Sequence, residues 1–477
     1  MATRLPYSRV VDVTITREDR FPTVSSFRTA LLLSVTAVTG VVDSSHRTKL
    51  YSTMEEVAVD WDAGGETYAA AQRFFQARIR PSALKIGYVD ETVFPFTTEL
   101  DALYAADPDW YWLLHTNDLN DTPEQRALAD WAETKTVLAG LDSNDADTET
   151  PAAVADSSAT VTMAVASPGT VTWTGHGLLV EAPIRFTTTG AMLTGLTAGT
   201  TYYVKTVVNA NTINISATPG GAAINFTGTQ SGTHTGVALK FGGSIAEYCE
   251  SKNYDRSAVF YHTDAGSYLA AAAWGYASGR DLDRGNAALA AKGRIDSGQA
   301  YTMKFKTLPG VTALNKSSAV VQAVTGFIPG SGIDVAQGHR ANTYVNIGGI
   351  DMLVEGVVGS GAFIDEIHAV DWIKARTQES VLQVLANNAR VPMTNQGVGV
   401  LISAGVAPPM RRAFAAGIIA PRMGDDGQLE PEVEYAADDV MAIPASQRRN
   451  RIAPDIKVTF RYAGAIHYAS VTMTMKF

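Results

Sequence analysis

Cysteine is nearly missing from this chain of 477 residues: Cys249 stands alone. A single thiol excludes an intramolecular disulfide and any CxxC metal motif, and it is compatible with a reducing compartment. Charge is sparse as well, at 18 % of residues, with a net balance of −10. A chain so short of basic residues lacks the footprint that neutralises phosphates, which argues against nucleic acid as the main partner. The deficit lies in residues 1–364, because basic and acidic side chains balance from Asp365 to Phe477. Long apolar runs are missing too. "TALLLSVTAVTGVV" is too short for a spanning helix and carries the β-branched residues of a buried strand. The opening "MATRLPYSRVVDVTITRED" has no apolar signal-peptide core, since Pro6 and Asp12 interrupt it. These absences predict a soluble protein, made and assembled in a cytoplasm, without direct membrane insertion.

Signatures of catalysis are equally scarce. There is no GxxxxGK(S/T) loop, no GxGxxG between a strand and a helix, and no GxSxG elbow. Ser331 in "PGSGID" and Ser360 in "VGSGAF" have glycines at the wrong offsets and read as turns. The eight histidines form no HxxxH or HExxH pair, which disfavours zinc. Two acidic clusters remain. "DSNDADTE" (Asp142, Asp145, Asp147, Glu149) reads as a solvated linker. "GRDLDRGN" (Asp281, Asp283, Asn286) opens like a calcium loop but lacks the downstream bidentate glutamate and contains Arg284, so helix capping is the better reading. No enzyme, metal or cofactor is expected.

What is present is a globular composition, 46 % apolar, with length for about three domains. Both ends carry a period of two. "RVVDVTITRED" alternates Val11, Val13 and Ile15 with polar residues. "HYASVTMTMKF" alternates Val471, Met473, Met475 and Phe477 with Thr472, Thr474 and Lys476, the mark of half-buried strands. At strand rise the last eleven residues reach roughly 35 Å. A terminal strand with an apolar face must pair with something.

Between the ends, strands and helices alternate from Thr29 to Leu141, the rhythm of α/β layering. "GETYAAAQRFFQARI" reads as a helix with Tyr68, Phe74, Phe75 and Ile79 on its apolar side. Thr122-Pro123-Glu124-Gln125 opens another with an N-cap, a first-turn proline and acids near the positive dipole end. An acidic linker, "DSNDADTETPAAVADSSAT", then leads into a Thr/Gly-rich stretch. Its turn signals fall at hairpin spacing, and only Asp156, Glu181, Arg185, Lys205 and Lys240 are charged between 151 and 241. This is an inserted all-β module, expected to protrude. Trp173, Tyr202 and Tyr203 are its candidate sugar platforms, with core packing the stronger reading for every tryptophan. The α/β rhythm resumes at Ser244. "QAYTMKFKTLPGV" and "NTYVNIGGIDMLVEGVV" look strand-rich. "FIDEIHAVDWIKARTQESVLQVLAN" sets Ile364, Ile367, Val370, Ile373, Val381 and Leu385 on one face of the longest helix. "IKVTFRYAG" alternates Ile456, Val458, Phe460 and Tyr462. The fold class expected is α/β (α+β), a multidomain core with an inserted all-β module and extended N- and C-terminal β-arms. The boundaries expected are 1–28 for the first arm, 29–150 and 242–364 for the two parts of the core, 151–241 for the module, 365–455 for a C-terminal domain and 456–477 for the last arm.

"GQAYTMKFKTLPGVTAL", followed by "ANTYVNIGGIDMLVEGVVGSGAFIDEIHAVDWIKARTQESVLQVLANNARVPMTNQGVGVLISA", resembles the contractile-tail sheath proteins of bacteriophages. The resemblance covers roughly 29–141 and 244–477 and is most specific over 300–403. It implies a structural virion subunit, assembled in the host cytoplasm, that forms stacked hexameric rings around a tail tube and contracts to drive the tube through the host envelope. The implied partners are further copies of the chain, the tail tube protein, and baseplate and tail terminator proteins. The arms are implied to complete a small sheet in neighbouring subunits, with Val11, Val13, Ile15, Ile466, Tyr468, Val471, Met473, Met475 and Phe477 at the interface. Residues 365–455 are implied to lie near the tube, with Lys374, Arg376, Arg411, Arg412 and Arg422 toward it. A receptor- or polysaccharide-binding tail protein acting through the β-module is the alternative.

Overall fold

The computed structural model describes residues 26–150, 155–176, 178, 180, 182–218, 221–239, 244–286, 298–334, 338–425 and 427–470. The chain opens with strands β1 (Ala30–Ser34), β2 (Thr48–Tyr51), β3 (Leu84–Tyr88), β4 (Trp112–His115) and β5 (Leu138–Ser143). Helices α1 (Met54–Asp60), α2 (Glu66–Phe75), α3 (Thr97–Ala106) and α4 (Pro123–Glu133) lie between them. Next come β6 (Ala155–Ala164), β7 (Thr170–Thr172), β8 (Pro183–Thr188), β9 (Thr201–Asn209), β10 (Thr212–Ser216), β11 (His234–Leu239) and α5 (Ile245–Ser251). Strand β12 (Ser257–Tyr261) and helix α6 (Leu269–Ser278) precede α7 (Ser318–Thr325), β13 (Phe327–Ile328), β14 (Gly332–Ile333) and the hairpin β15 (Asn342–Ile347) and β16 (Ile350–Val354). The last part holds α8 (Ile364–Asn387), α9 (Asn395–Val400), α10 (Ala407–Ala416), β17 (Pro421–Met423), β18 (Leu429–Pro431), β19 (Val433–Ala437), α11 (Ala445–Arg449) and β20 (Ile456–Phe460).

The chain divides into two compact units: Met1–Asn144, Asn253–Lys316 and Ala341–Phe477 in one, Asp145–Lys252 and Ser317–Arg340 in the other. The first is built on an eight-stranded sheet of order β16-β15-β12-β5-β4-β1-β3-β2, with β3, β1, β4, β5, β12 and β15 parallel. Every residue of β1, β4, β5 and β12 is buried, as expected of parallel strands covered on both faces. Helix α4 starts as its sequence dictates: the Thr122 side chain accepts the Gln125 N–H and Pro123 fills the first turn. Helices α2 and α6 pack so closely that a Cβ on Gly275 would lie 2.3 Å from the Phe74 carbonyl oxygen. One core runs from Phe27 through Trp112, Trp274 and Trp372 to Ile419 and Val433, so the C-terminal residues share it with the sheet.

In the second unit, β6–β11 close into a six-stranded barrel of order β10-β7-β6-β11-β8-β9. Val161, Val171, Trp173, Ile184, Phe186, Tyr202, Ile213 and Phe226 fill it. Gly236 is required by that filling, since a Cβ there would sit 2.5 Å from the Trp173 ring. Helix α7 joins this unit rather than the sheet, packing on the 3-10 turn Ala146–Glu149, and the His339 Nε2 contacts the Thr150 carbonyl at 2.6 Å.

Several local expectations change. Helix α2 ends at Phe75, so Ile79 lies beyond it and is exposed. The acidic "linker" is partly structure. Asp142 is buried within β5 and accepts the Ala270 N–H at 2.8 Å, and Asp145 caps the 3-10 turn after it. "QAYTMKFKTLPGV" contains no strand; Phe305 turns through a positive φ of 66°. Helix α8 has no single apolar stripe. Asp365, His368, Asp371, Lys374, Thr377 and Gln378 are buried along with Ile364 and Ile373, while Ile367, Val370, Val381 and Leu385 are only half-buried. Asp365, His368 and Asp371 find partners in Tyr462, Tyr301 and Tyr111, while the Thr377 hydroxyl has none among the described residues.

Candidate assembly surfaces

A doubly wound sheet offers a ligand crevice where strand order reverses, here between β1 and β4. This crevice is filled by the chain itself. The Glu66 carboxylate, at the start of α2, accepts the backbone N–H groups of Asn117 and Asp118 just beyond β4, and burial raises its pKa. Beside it, the Ser34 and Thr67 hydroxyls bond each other at 2.8 Å. His115 contacts Gln125 through Nε2 at 3.0 Å and the Thr116 carbonyl through Nδ1 at 2.9 Å, and burial pushes its pKa down to about 4. Among the described residues no group of three or more histidines, cysteines and acids is placed to hold a metal. In the barrel Trp173 and Tyr202 are buried, which removes them as exposed platforms for sugar.

The "GRDLDRGN" stretch is an ion-pair hub. Asp281 caps the 3-10 turn Leu282–Arg284 as expected, and pairs with Arg28 at 3.3 Å and Arg284 at 3.1 Å. Asp283 receives Arg376 at 2.7 Å and Arg412 at 3.5 Å. A cavity of about 310 Å³ lies beside it, lined by Phe27, Arg28, Asp283, His368 and Trp372. Of the five cations expected on the tube side, Arg376 and Arg412 therefore meet at one carboxylate. Arg422 pairs with Glu430 across β17–β18 at 2.9 Å, and Arg411 is exposed on α10. Lys374 is a correction: it is only 8 % exposed within α8, where packing on several sides covers it. The sequence hid the hub because Asp283 has its partners 93 and 129 residues away.

Helix α8 is fastened to the sheet by a buried carboxylate. Asp371 accepts the Tyr111 hydroxyl at 2.7 Å and Arg256 Nη2 at 3.0 Å. Burial drives the Tyr111 pKa well up and Asp371 adds to it. Burial also pulls Arg256 down, but the carboxylate outweighs it and leaves the guanidinium raised. A second buried pair joins Lys304 and Glu355.

The strand-bearing surfaces lie beyond α10. Strands β17–β18 and β19–β20 are two separate antiparallel pairs, each without a third strand among the described residues. In β19–β20, Val433, Tyr435, Val458 and Phe460 pack on the core, while Glu434, Lys457 and Thr459 point to solvent. The alternation read from "IKVTFRYAG" is thus present. Two-stranded sheets are marginal alone, and their outer edges leave main-chain groups open to pairing. Five large apolar side chains are exposed in the same stretch: Met423, Met441, Ile452, Ile466 and Tyr468. Ile466 is 86 % and Tyr468 52 % exposed, while Val11, Val13, Ile15, Val471, Met473, Met475 and Phe477 lie outside the described residues.

Residues 364–475 match the family model described as E217 tail sheath protein gp31-like, C-terminal domain. No curated protein matches the chain. Among solved structures, the helical sheath of the anti-feeding prophage in its contracted state, determined by cryo-electron microscopy, aligns over 98 % of this chain and 99 % of that one, at 10 % identity and a TM-score of 0.49. The family match begins at the first residue of α8 and takes in both two-stranded sheets. From α8 onward, the chain is similar to the C-terminal domain of tail sheath proteins.

Proposed function

We propose that this protein is a structural subunit of a contractile tail sheath, which polymerises helically around a tail tube and shortens to drive the tube through the host envelope. The observation that carries the reading is the sheath C-terminal domain over residues 364–475, in which β19–β20 stands with open edges. On this reading the terminal strands of neighbouring copies add to those edges. Main-chain hydrogen bonds supply the link, and alternating side chains set its register. Such a link survives while the globular bodies slide between two discrete packings, so contraction needs no active site. Arg411, Arg412 and Arg422 are surface cations suited to weak, releasable contacts with an acidic tube, each worth about 0–1 kcal/mol. Baseplate and terminator proteins would cap the ends of the helix, and the virion is its destination. The barrel serves as decoration on this reading.

Negative-stain electron microscopy of the full-length chain beside one truncated after Ala463 tests this. Tubes or stacked rings from the full chain, lost on truncation, are expected. Monodisperse monomers from both, at every salt and protein concentration tried, would overturn the assignment.

A further inference from the structure

The last described stretch, residues 461–470, is exposed except at two positions, Tyr462 and His467. Tyr462 is held firmly. Its hydroxyl donates to Asp365 Oδ2 at 2.9 Å, its backbone bridges to Ile419, and the next N–H, of Ala463, reaches the Ile418 carbonyl at 2.8 Å. His467 is held more lightly. Its Nε2 meets the Thr302 hydroxyl at 2.9 Å, and its ring stands edge-on to Phe363 at 4.7 Å and to Phe305 at 6.2 Å. Between the two lies Gly464 at a φ of +60°, with no atom nearer than 3.8 Å to a Cβ built there. Phe305, a wall of the seat, is an aromatic residue in the left-handed region, the kind of backbone strain that gathers where a segment must switch.

We propose that His467 is a releasable latch that parks the root of the C-terminal strand on its own subunit, with Tyr462 as the fixed pivot and Gly464 as the hinge. The proposal rests on the reading that this strand pairs with a neighbouring copy. Unlatching frees Ile466, Tyr468 and the rest of the strand to swing about Gly464 without disturbing β20. The latch is weak enough to open, because it consists of one hydrogen bond and two ring edges. It also opposes premature pairing between free subunits. Burial, then Lys304 and Lys306, holds the imidazole below its usual range, so the seat favours neutral His467. The latch is therefore complete above the unseated imidazole pKa, about 6.5, and weakens as pH falls below it. Other charged groups lie around the seat: Lys304 with its partner Glu355, Lys306 on the same segment, and Asp365 on α8, which reaches the same Thr302 hydroxyl. Asp365 is pushed up by burial to about 6, so it titrates in the same window.

A nitroxide placed at Tyr468→Cys in the full chain reads the latch before any assembly; Cys249 is buried and leaves the label selective. An immobilised component is expected at pH 7.5, lost in His467→Ala and lost on lowering the pH to 5. His467→Gln should keep most of the immobilised component and lose the pH response. A label equally mobile with and without His467 overturns the proposal, and so does a pH response that survives in His467→Gln, which would belong to Asp365. The threshold concentration for tubes should fall about two- to tenfold in His467→Ala, the equivalent of one hydrogen bond. An unchanged or higher threshold removes the latch as a barrier to pairing. If the label reports the latch while no variant forms tubes, the latch stands and the sheath assignment fails.

Discussion

Replacing Asp371 by alanine should loosen the joint between α8 and the sheet more than any single surface change. The carboxylate is 4 % exposed and serves two buried partners, the Tyr111 hydroxyl and the Arg256 guanidinium, whose side chain is 12 % exposed. Removing it strands a buried cation, at about 3–5 kcal/mol, a large share of the roughly 5–15 kcal/mol that holds a typical domain folded. Asp371→Asn keeps an acceptor for Tyr111 and should cost less. Replacing the trio together, as Asp371→Leu with Arg256→Met and Tyr111→Phe, should recover most of the loss, because no unpaired charge remains. Urea unfolding monitored by tryptophan fluorescence reads the joint well: of seven tryptophans only Trp173 lies in the barrel. A loss under about 1 kcal/mol for Asp371→Ala would refute the reasoning, since a solvated Arg256 would then have been mistaken for a buried one.

Burial lifts the Asp142 carboxyl to about 7, so the folded state holds its proton more tightly and stability falls as pH rises from about 4 to 7. Asp142→Asn should reduce that slope by about 1.4 kcal/mol per pH unit, measured by urea midpoints between pH 5 and 7. Burial pushes His368 in the opposite sense, down to about 3, so His368→Phe should lessen the loss of stability as pH drops below about 6.5. Trp173→Ala should cost about 3–5 kcal/mol, read as an early barrel transition in calorimetry while the α/β transition keeps its midpoint. Deleting residues 151–241 should leave tube formation intact by electron microscopy; loss of tubes would make the barrel part of the assembly.

Local pattern located most of the first unit. The continuous apolar run of β1, the proline-capped start of α4 and the alternation of β20 each depend on neighbours within a few residues, and each appears where the residues place it. What escaped was set by partners far along the chain. Met303 and Phe305 alternate like a strand, but Lys304 between them is drawn inward to Glu355 and Phe305 turns through positive φ. Helix α8 looked amphipathic because its polar residues were counted as a solvent face. Asp371 instead meets Arg256, 115 residues away, and Asp365 meets Tyr462, 97 residues away. The same blindness put Lys374 on the surface and left Asp283 without its arginines. The alternation of β20 is legible in the sequence, but β17, β18 and β19 are not, nor is the two-stranded pairing seen among the described residues, because pairing partners are a tertiary property.

Barrel closure has a bearing on crowding. A subunit that works through open strand edges, stacked many times at very high local concentration, risks joining copies wherever a backbone edge is offered. The six strands of the second unit pair with one another around the ring, so that unit meets its surroundings through side chains. If copies of the chain join through strand edges as proposed, changes on that unit's surface create no rival splice point, and pairing errors stay with the part of the chain that carries the open edges.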